Sequence, residues 1–220
     1  MINYKIYLFI LFLVLSPSLN GQFNYSQSGY GIATTVNRLS DGTIIKLPYR
    51  MLSNESMVNF NNFNLIVSTA LEFHIKSKIA NSKLNIDLRE LYFEWILPYG
   101  DLSLGKQIIS WGAVSANNPT DNISPYNYYY LFSIGKERKQ GIFSLNSNIY
   151  INNIMLNTIF IPFHNPNLLP LNDPEFAISS PIIPKDEQIM DLNNSYEYGI
   201  SLKIPITYLD FTLSYFSGYV

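Results

Sequence analysis

Leu65-Ile66-Val67-Ser68-Thr69-Ala70-Leu71-Glu72-Phe73-His74-Ile75-Lys76 is the stretch on which the fold turns. Leu65, Val67, Thr69, Leu71, Phe73 and Ile75 fall on one face of an extended chain. Ile66, Ser68, Ala70, Glu72, His74 and Lys76 fall on the other, which becomes charged towards one end. Strand side chains alternate with a period of two, so this is a strand with one greasy and one polar face. The pattern returns at Tyr196, Tyr198, Ile200, Leu202 and Ile204, and again at Leu209, Phe211, Leu213 and Tyr215. Two architectures read this way. A soluble β-sandwich packs its greasy face inward, whereas a transmembrane barrel turns it to lipid.

The amino terminus favours export. Ile6 to Leu15 is an unbroken apolar run after Lys5, and Ser16-Pro17-Ser18-Leu19-Asn20-Gly21 supplies small and turn-forming residues. A spanning helix needs about 20 apolar residues, so the run is too short to anchor the chain. Residues 1–21 read as a signal peptide removed after Ser18 or Gly21, with the mature domain at 22–220. The chain has no cysteine, which excludes a lipoprotein anchor, a disulfide framework and thiolate metal sites.

Composition suits an exported β-protein. Aromatic residues make up 15% of the chain, with 17 Tyr and 14 Phe, and charged residues only 14%. Tyrosine has an apolar ring and a wet hydroxyl, the combination favoured at a bilayer interface. A net charge of -2 supplies no electrostatic attraction for nucleic acid.

Alternation predicts strands at 28–36, 62–77, 84–97, 101–111, 141–150, 154–163, 195–205 and 208–217, with 37–61 unassigned apart from a possible short strand. Several reach the length needed to cross a bilayer at a tilt. Tight turns are expected at Ala80 to Lys83, Pro98 to Gly100, Asn152-Asn153 and Pro205 to Thr207, and long polar connections at 112–139 and 164–194. Short turns on one rim and long loops on the other mark outer-membrane barrels. One count conflicts with this: successive tight turns near residues 80 and 98 would lie on opposite rims.

Catalytic groups are sparse, and no enzymatic activity is expected. There is no G-x-S-x-G elbow and the chain has two histidines, His74 and His164. No His-x-x-x-His pair or carboxylate cluster suggests a metal, and no cofactor is expected. His74 reads as a polar side chain facing the interior. Lys136-Glu137-Arg138-Lys139 reads as a solvated loop end or as a basic patch beside a pore or lipopolysaccharide. Gly29-Tyr30-Gly31 precedes no helix, so it is not a phosphate cradle.

The candidate pore-lining residues are Arg89, Glu90, Glu94, Lys106 and Gln107. Leu84, Ile86 and Leu88 share one parity and Leu91, Phe93 and Trp95 the other, so the phase slips near Arg89-Glu90. A β-bulge accounts for the slip. It would set Glu90, Tyr92 and Glu94 on the face of Ser103, Gly105 and Gln107, and strict alternation allows only one of Lys106 and Gln107 onto it. Pairing within the wall is the structural alternative for these charges.

Arg89-Glu90-Leu91-Tyr92, then Asp101-Leu102-Ser103-Leu104-Gly105-Lys106-Gln107, then Trp111-Gly112, resembles an uncharacterised porin-like family of Gram-negative outer membranes. That family is similar in outline to alginate-export barrels. Its loop motif Asp-x-x-Asn-Pro-x-Asp is matched by Asp121-Asn122-Ile123-Ser124-Pro125-Tyr126-Asn127, with Ser and Asn in place of Asn and Asp. Arg138 corresponds to a basic residue before the next strand, and Ile161-Pro162-Phe163 to a strand end. The resemblance covers about residues 85–165, with an echo at 197–218. It implies an antiparallel transmembrane β-barrel in the bacterial outer membrane that passes small solutes passively. Its partners would be outer-membrane lipid, lipopolysaccharide and the barrel-assembly machinery.

About 200 residues follow the signal peptide, enough for about eight to ten strands, whereas a water-filled channel takes about 16. Members of the resembled family are longer, and Tyr215 to Val220 lack a closing aromatic terminus. The chain is therefore expected to be the amino-terminal part of a larger barrel. A small complete barrel with a structural or adhesive role, and a secreted carbohydrate-binding β-sandwich, are the alternatives.

Overall fold

The computed structural model describes residues 23–74, 84–112, 121–130, 132–133, 135–170, 195–206 and 209–219. Within them the chain is all-β. The strands are β1 (Phe23–Gly31), β2 (Val36–Asn37), β3 (Ile44–Ile45), β4 (Tyr49–Phe60), β5 (Phe63–Phe73) and β6 (Leu84–Leu97). They continue with β7 (Gly100–Gln107), β8 (Ile142–Ile151), β9 (Ile154–Ile161), β10 (Glu197–Ile206) and β11 (Leu209–Ser217). Nine of them form one sheet in the order β1-β4-β5-β6-β7-β8-β9-β10-β11, every pair antiparallel. β2 and β3 form a separate small hairpin. The expected signal peptide lies outside the described residues.

The alternation at 65–76 becomes β5 with its faces as read, though Ile75 and Lys76 lie outside the described residues. Asn64, Ile66, Ser68, Ala70, Glu72 and His74 are buried, and Leu65, Val67, Leu71 and Phe73 occupy the opposite, partly exposed face. Polarity is inverted relative to a soluble sheet. Phe93 is 62% exposed and Leu213 64%, while Glu90 is 5% and Asn157 5%. The buried apolar residues that do pack together are few: Trp111, Ile123, Ile142, Ile159 and Ile161, with Ile109 and Phe216 against them.

β4 fills the segment left unassigned, and it removes the conflict between turns. With β4 present, the connections at 61–62, 98–99, 152–153 and 207–208 alternate along the sheet with those at 32–48, 74–83, 108–141 and 162–196. All short connections then share one rim and all long ones the other. The expected turn at 80–83 lies outside the described residues, inside a long-rim connection. Asn61 (φ 52°) and Asn152 (φ 53°) sit in the left-handed region that two-residue hairpin turns demand, which asparagine tolerates best after glycine.

Two other boundaries move for physical reasons. β1 begins and ends five residues earlier than the 28–36 expectation, because its register with β4 runs from Phe23↔Phe60 to Gly31↔Leu52. β7 ends at Gln107 instead of residue 111. Beyond it the backbone N–H of Ile108 donates to Glu90 Oε1 (2.8 Å), that of Ile109 to Ser124 Oγ (2.8 Å) and that of Trp111 to Asp121 Oδ1 (3.1 Å). Side chains replace the ladder and draw the chain out of the sheet. Pro205 is tolerated in β10 because only β11 pairs beside it, opposite Asp210; the β9 ladder has already ended at Lys203.

Candidate functional site

The buried polar face divides into two regions along the strands. Near the long-connection rim it is covered by the described residues of the segment 121–140, which carry short 3-10 turns at Tyr128–Tyr130 and Gly135–Arg138. Bulges in β4 and β6, on either side of β5, shape this region. Register skips Met51 between Arg50↔Glu72 and Leu52↔Leu71, and skips Arg89 between Leu88↔Thr69 and Glu90↔Ser68. A bulge re-aims the side chains beside it. Here both arginines turn onto the covering segment. Arg89 donates to Glu137 Oε1 (2.6 Å) and to the Lys136 carbonyl (2.5 Å). Arg50 lies 3.3 Å from Glu137 Oε2, donates to the Glu137 carbonyl, and stacks its guanidinium 3.8 Å from the centre of the Tyr130 ring. Glu72 lies 3.3 Å from Arg50 and 3.3 Å from His74.

A second ion pair holds the base of the segment. Lys139 Nζ lies 2.5 Å from Asp121 Oδ2, and both side chains are buried. Burial pushes the Lys139 ammonium below the usual lysine range, against the pull of the Asp121 carboxylate. Ile123 adds the apolar part of the anchor by entering the Trp111 cluster. Trp111 fits because Gly199 faces it: a Cβ there would stand 2.6 Å from the indole ring. The run 136–139 is therefore not a free basic patch, and Lys136 is its exposed side chain. Two arginines from the sheet and one aspartate consume Glu137 and Lys139.

Nearer the tight-turn rim, the face is a row of amides crossing successive strands. Asn59 donates to Asn64 (2.5 Å), and Asn64 to Glu94 Oε2 (2.7 Å). Glu94 pairs in register with Ser103, and Ser103 with Asn146. Asn157 donates to Asn146 Oδ1 (2.7 Å) and Asn148 Oδ1 (2.6 Å), and accepts from the Trp111 indole (2.7 Å). Asn148 then reaches Asp101 (2.7 Å), which also accepts from the Tyr150 hydroxyl (3.1 Å). A cavity of about 330 Å³ opens on this row, its wall including Glu94, Asp101, Asn146, Asn157, Gln107 and Trp111. A more apolar cavity of about 420 Å³ lies apart from it, between the β2–β3 hairpin and Tyr129, Tyr130 and Phe132. Among the described residues no grouping of three or more His, Asp or Glu side chains is placed to hold a metal ion.

The five residues singled out from sequence separate in the fold. Arg89 and Glu90 hold the covering segment: Glu90 caps the Ile108 N–H and lies 3.9 Å from Lys136. Glu90 also lines the cavity, together with Glu94 and Gln107, and Gln107 is fixed by Ser103 and the Ser144 carbonyl. Lys106 is on the opposite face, registered between Leu91 and Phe143, with its ammonium bonded to the Leu88 carbonyl. The bulge at Arg89-Glu90 sets Glu90, Tyr92 and Glu94 on the face of Ser103, Gly105 and Gln107, as its phase slip implies. Arg50, Asn146, Asn148 and Asn157 were not singled out, and Glu137 only as a member of the run 136–139. A sequence signal existed for two of them, since Ser144, Asn146 and Asn148 alternate with Phe143, Leu145 and Ser147 along β8.

No protein-family model matches the chain, and no curated protein matches it.

Proposed function

We propose that this sheet is wall of a porin-like channel in a bacterial outer membrane, with its polar face towards water and its apolar face towards lipid. Residues 121–140 fold into the interior as a constriction through which small solutes pass passively. The observation that carries the reading is the inversion of polarity across the seven contiguous antiparallel strands β4 to β10. Arginine, glutamate and asparagine are buried on one side, while Leu, Ile, Phe and Trp are exposed on the other. Water penalises that arrangement by about 25 cal/mol per Å² of apolar surface left exposed, and lipid removes the penalty.

Further observations support it. A sandwich needs a second sheet on the apolar face; among the described residues the remaining sheet is the β2–β3 hairpin, where Ile44 is 52% exposed. Short connections share one rim and long ones the other, the arrangement of outer-membrane barrels. β1 pairs only with β4, and β11 only with β10, among the described residues. An open edge is untenable in lipid, so in the membrane β1 and β11 meet each other or further strands. The decisive experiment is fractionation of the producing cell. The protein should be found in the outer membrane and should migrate differently on a gel before and after heating. Recovery as a soluble periplasmic monomer would overturn the reading.

A further inference from the structure

We propose that the amide row and its cavity bind neutral polyhydroxylated solutes, sugars and short oligosaccharides, in the channel interior; this rests on the channel reading above and names its solute class. The first argument is the chemistry of the wall. Each Asn or Gln presents N–H donors beside a carbonyl acceptor, and each vicinal hydroxyl of a sugar is likewise both donor and acceptor. Asn146, Asn148, Asn157, Gln107 and Ser201 line the same cavity of about 330 Å³. The four amides are held in place by bonds to one another and to the backbone, so binding costs them little further order.

Charge excludes the competing solutes. Glu94 and Asp101 take their hydrogen bonds from Asn64, Asn148 and Tyr150, and among the described residues neither has a salt-bridge partner. Lys203, the cation on this part of the wall, is paired with Asp210 at 3.2 Å, and Lys136 lies 3.9 Å from Glu90. The uncompensated charge is therefore negative and repels carboxylated sugars, the class that a likeness to alginate-export barrels would suggest. The carboxylates can accept bonds from sugar hydroxyls, while among the described residues no carboxylate cluster is built to strip water from a bare cation.

An aromatic surface completes the site. Tyr92 lies between Glu90 and Glu94 on the cavity wall, directly opposite Gly105. A Cβ at Gly105 would stand 2.7 Å from Tyr92 Cα and 2.9 Å from Tyr92 Cβ, so the glycine is what lets the tyrosine lie against the wall. Trp111, buried in its apolar cluster, fixes Asn157 at the same cavity through its indole N–H. The Tyr92 ring is the face that receives the C–H face of a sugar.

The test is titration of the full chain, folded in detergent micelles, with maltotriose as probe, glucuronate and putrescine as the charged controls, and calorimetry as the readout. Maltotriose should bind saturably, and glucuronate and putrescine at least about tenfold more weakly. Asn146→Leu with Asn148→Leu should weaken maltotriose at least about tenfold, and Lys106→Gln, on the other face, should leave it unchanged. Heat-modifiable migration checks the fold of each variant. If the double variant does not fold, Tyr92→Ser, which leaves the amides intact, decides by the same tenfold criterion. Absence of saturable maltotriose binding, tighter binding of either charged control, or wild-type affinity in the folded variants would overturn the assignment. Outer-membrane location with no maltotriose binding removes the sugar site and leaves the channel; a soluble monomer removes the channel reading itself.

Discussion

The two regions of the buried face use polar groups in opposite ways. Near the long-connection rim, Arg50, Arg89 and Lys139 each meet a carboxylate, and each of those cations is nine-tenths or more buried. Near the tight-turn rim, Glu94 and Asp101 are held by amides and a phenol instead. An ion pair withdrawn from water must recover its desolvation cost through close partners, so it behaves as a fixed strut. A row of neutral amides is less demanding and keeps hydrogen-bonding capacity for a visitor. The first region is built to hold residues 121–140 in place, and the second to face a solute.

The largest effect should come from removing a strut. Glu137→Ala leaves Arg89 with the Lys136 carbonyl as its hydrogen-bond partner and deprives Arg50 of one of its carboxylates. Breaking a buried pair costs about 3–5 kcal/mol, and because the Glu137 side chain is 28% exposed the lower end applies. Limited proteolysis should then cut within 121–140 and the urea midpoint should fall. Glu94→Gln, across the boundary, keeps an oxygen for Asn64 and should change stability by less than about 1 kcal/mol. Equal losses in the two variants would erase the distinction between strut and lining.

The next effect tests whether the regions share one wall. Leu71→Arg on the apolar face should cost about 2–4 kcal/mol in a bilayer, whereas His74→Gln on the buried face should cost less. Refolding into lipid vesicles, followed by gel mobility, measures both. Equal tolerance would show that the apolar face does not meet lipid.

Backbone strain is expected to be smaller again. Gly105 has φ 139°, where a side chain is strained, and an added Cβ would stand 2.4 Å from the Leu91 carbonyl oxygen. Gly105→Ala should cost about 1–3 kcal/mol and disturb Tyr92 on the lining while leaving the Arg89–Glu137 pair intact. Circular dichroism melts, with proteolysis of 121–140 as the second readout, would separate these.

Selectivity should give the smallest energy and the sharpest contrast. In the protein assembled in a planar bilayer, Glu90→Gln with Glu94→Gln should move the reversal potential in a salt gradient towards anions. Lys106→Gln should not move it, because Lys106 lies on the apolar face. A shift from Lys106→Gln of the same size would place that ammonium in the interior after all.

Much of this was legible in the one-dimensional pattern. Alternation located β6 and the β8–β11 strands within about two residues, and the start of β5 within one although β5 ends at Phe73 and not at 77, because which face a strand residue takes depends only on its position along that strand. The parity break at Arg89-Glu90 announced its bulge for the same reason, since a slipped phase leaves its mark within one strand. β4 left no such mark. Its run Arg50-Met51-Leu52-Ser53-Asn54-Glu55-Ser56 is interrupted by a bulge and is polar on both parities, and only pairing to β1 and β5 makes it a strand. The fate of residues 121–140 was equally hidden. Arg89 and Glu137 are 48 residues apart, and Arg50 and Glu137 87 apart, so their meeting depends on three strands lying side by side. Sequence alone determined strands, faces and one bulge, all of which are local properties of an extended chain. Tertiary structure decided which charges became struts and which polar groups stayed on the open wall, because partners that distant are chosen by the register of the sheet.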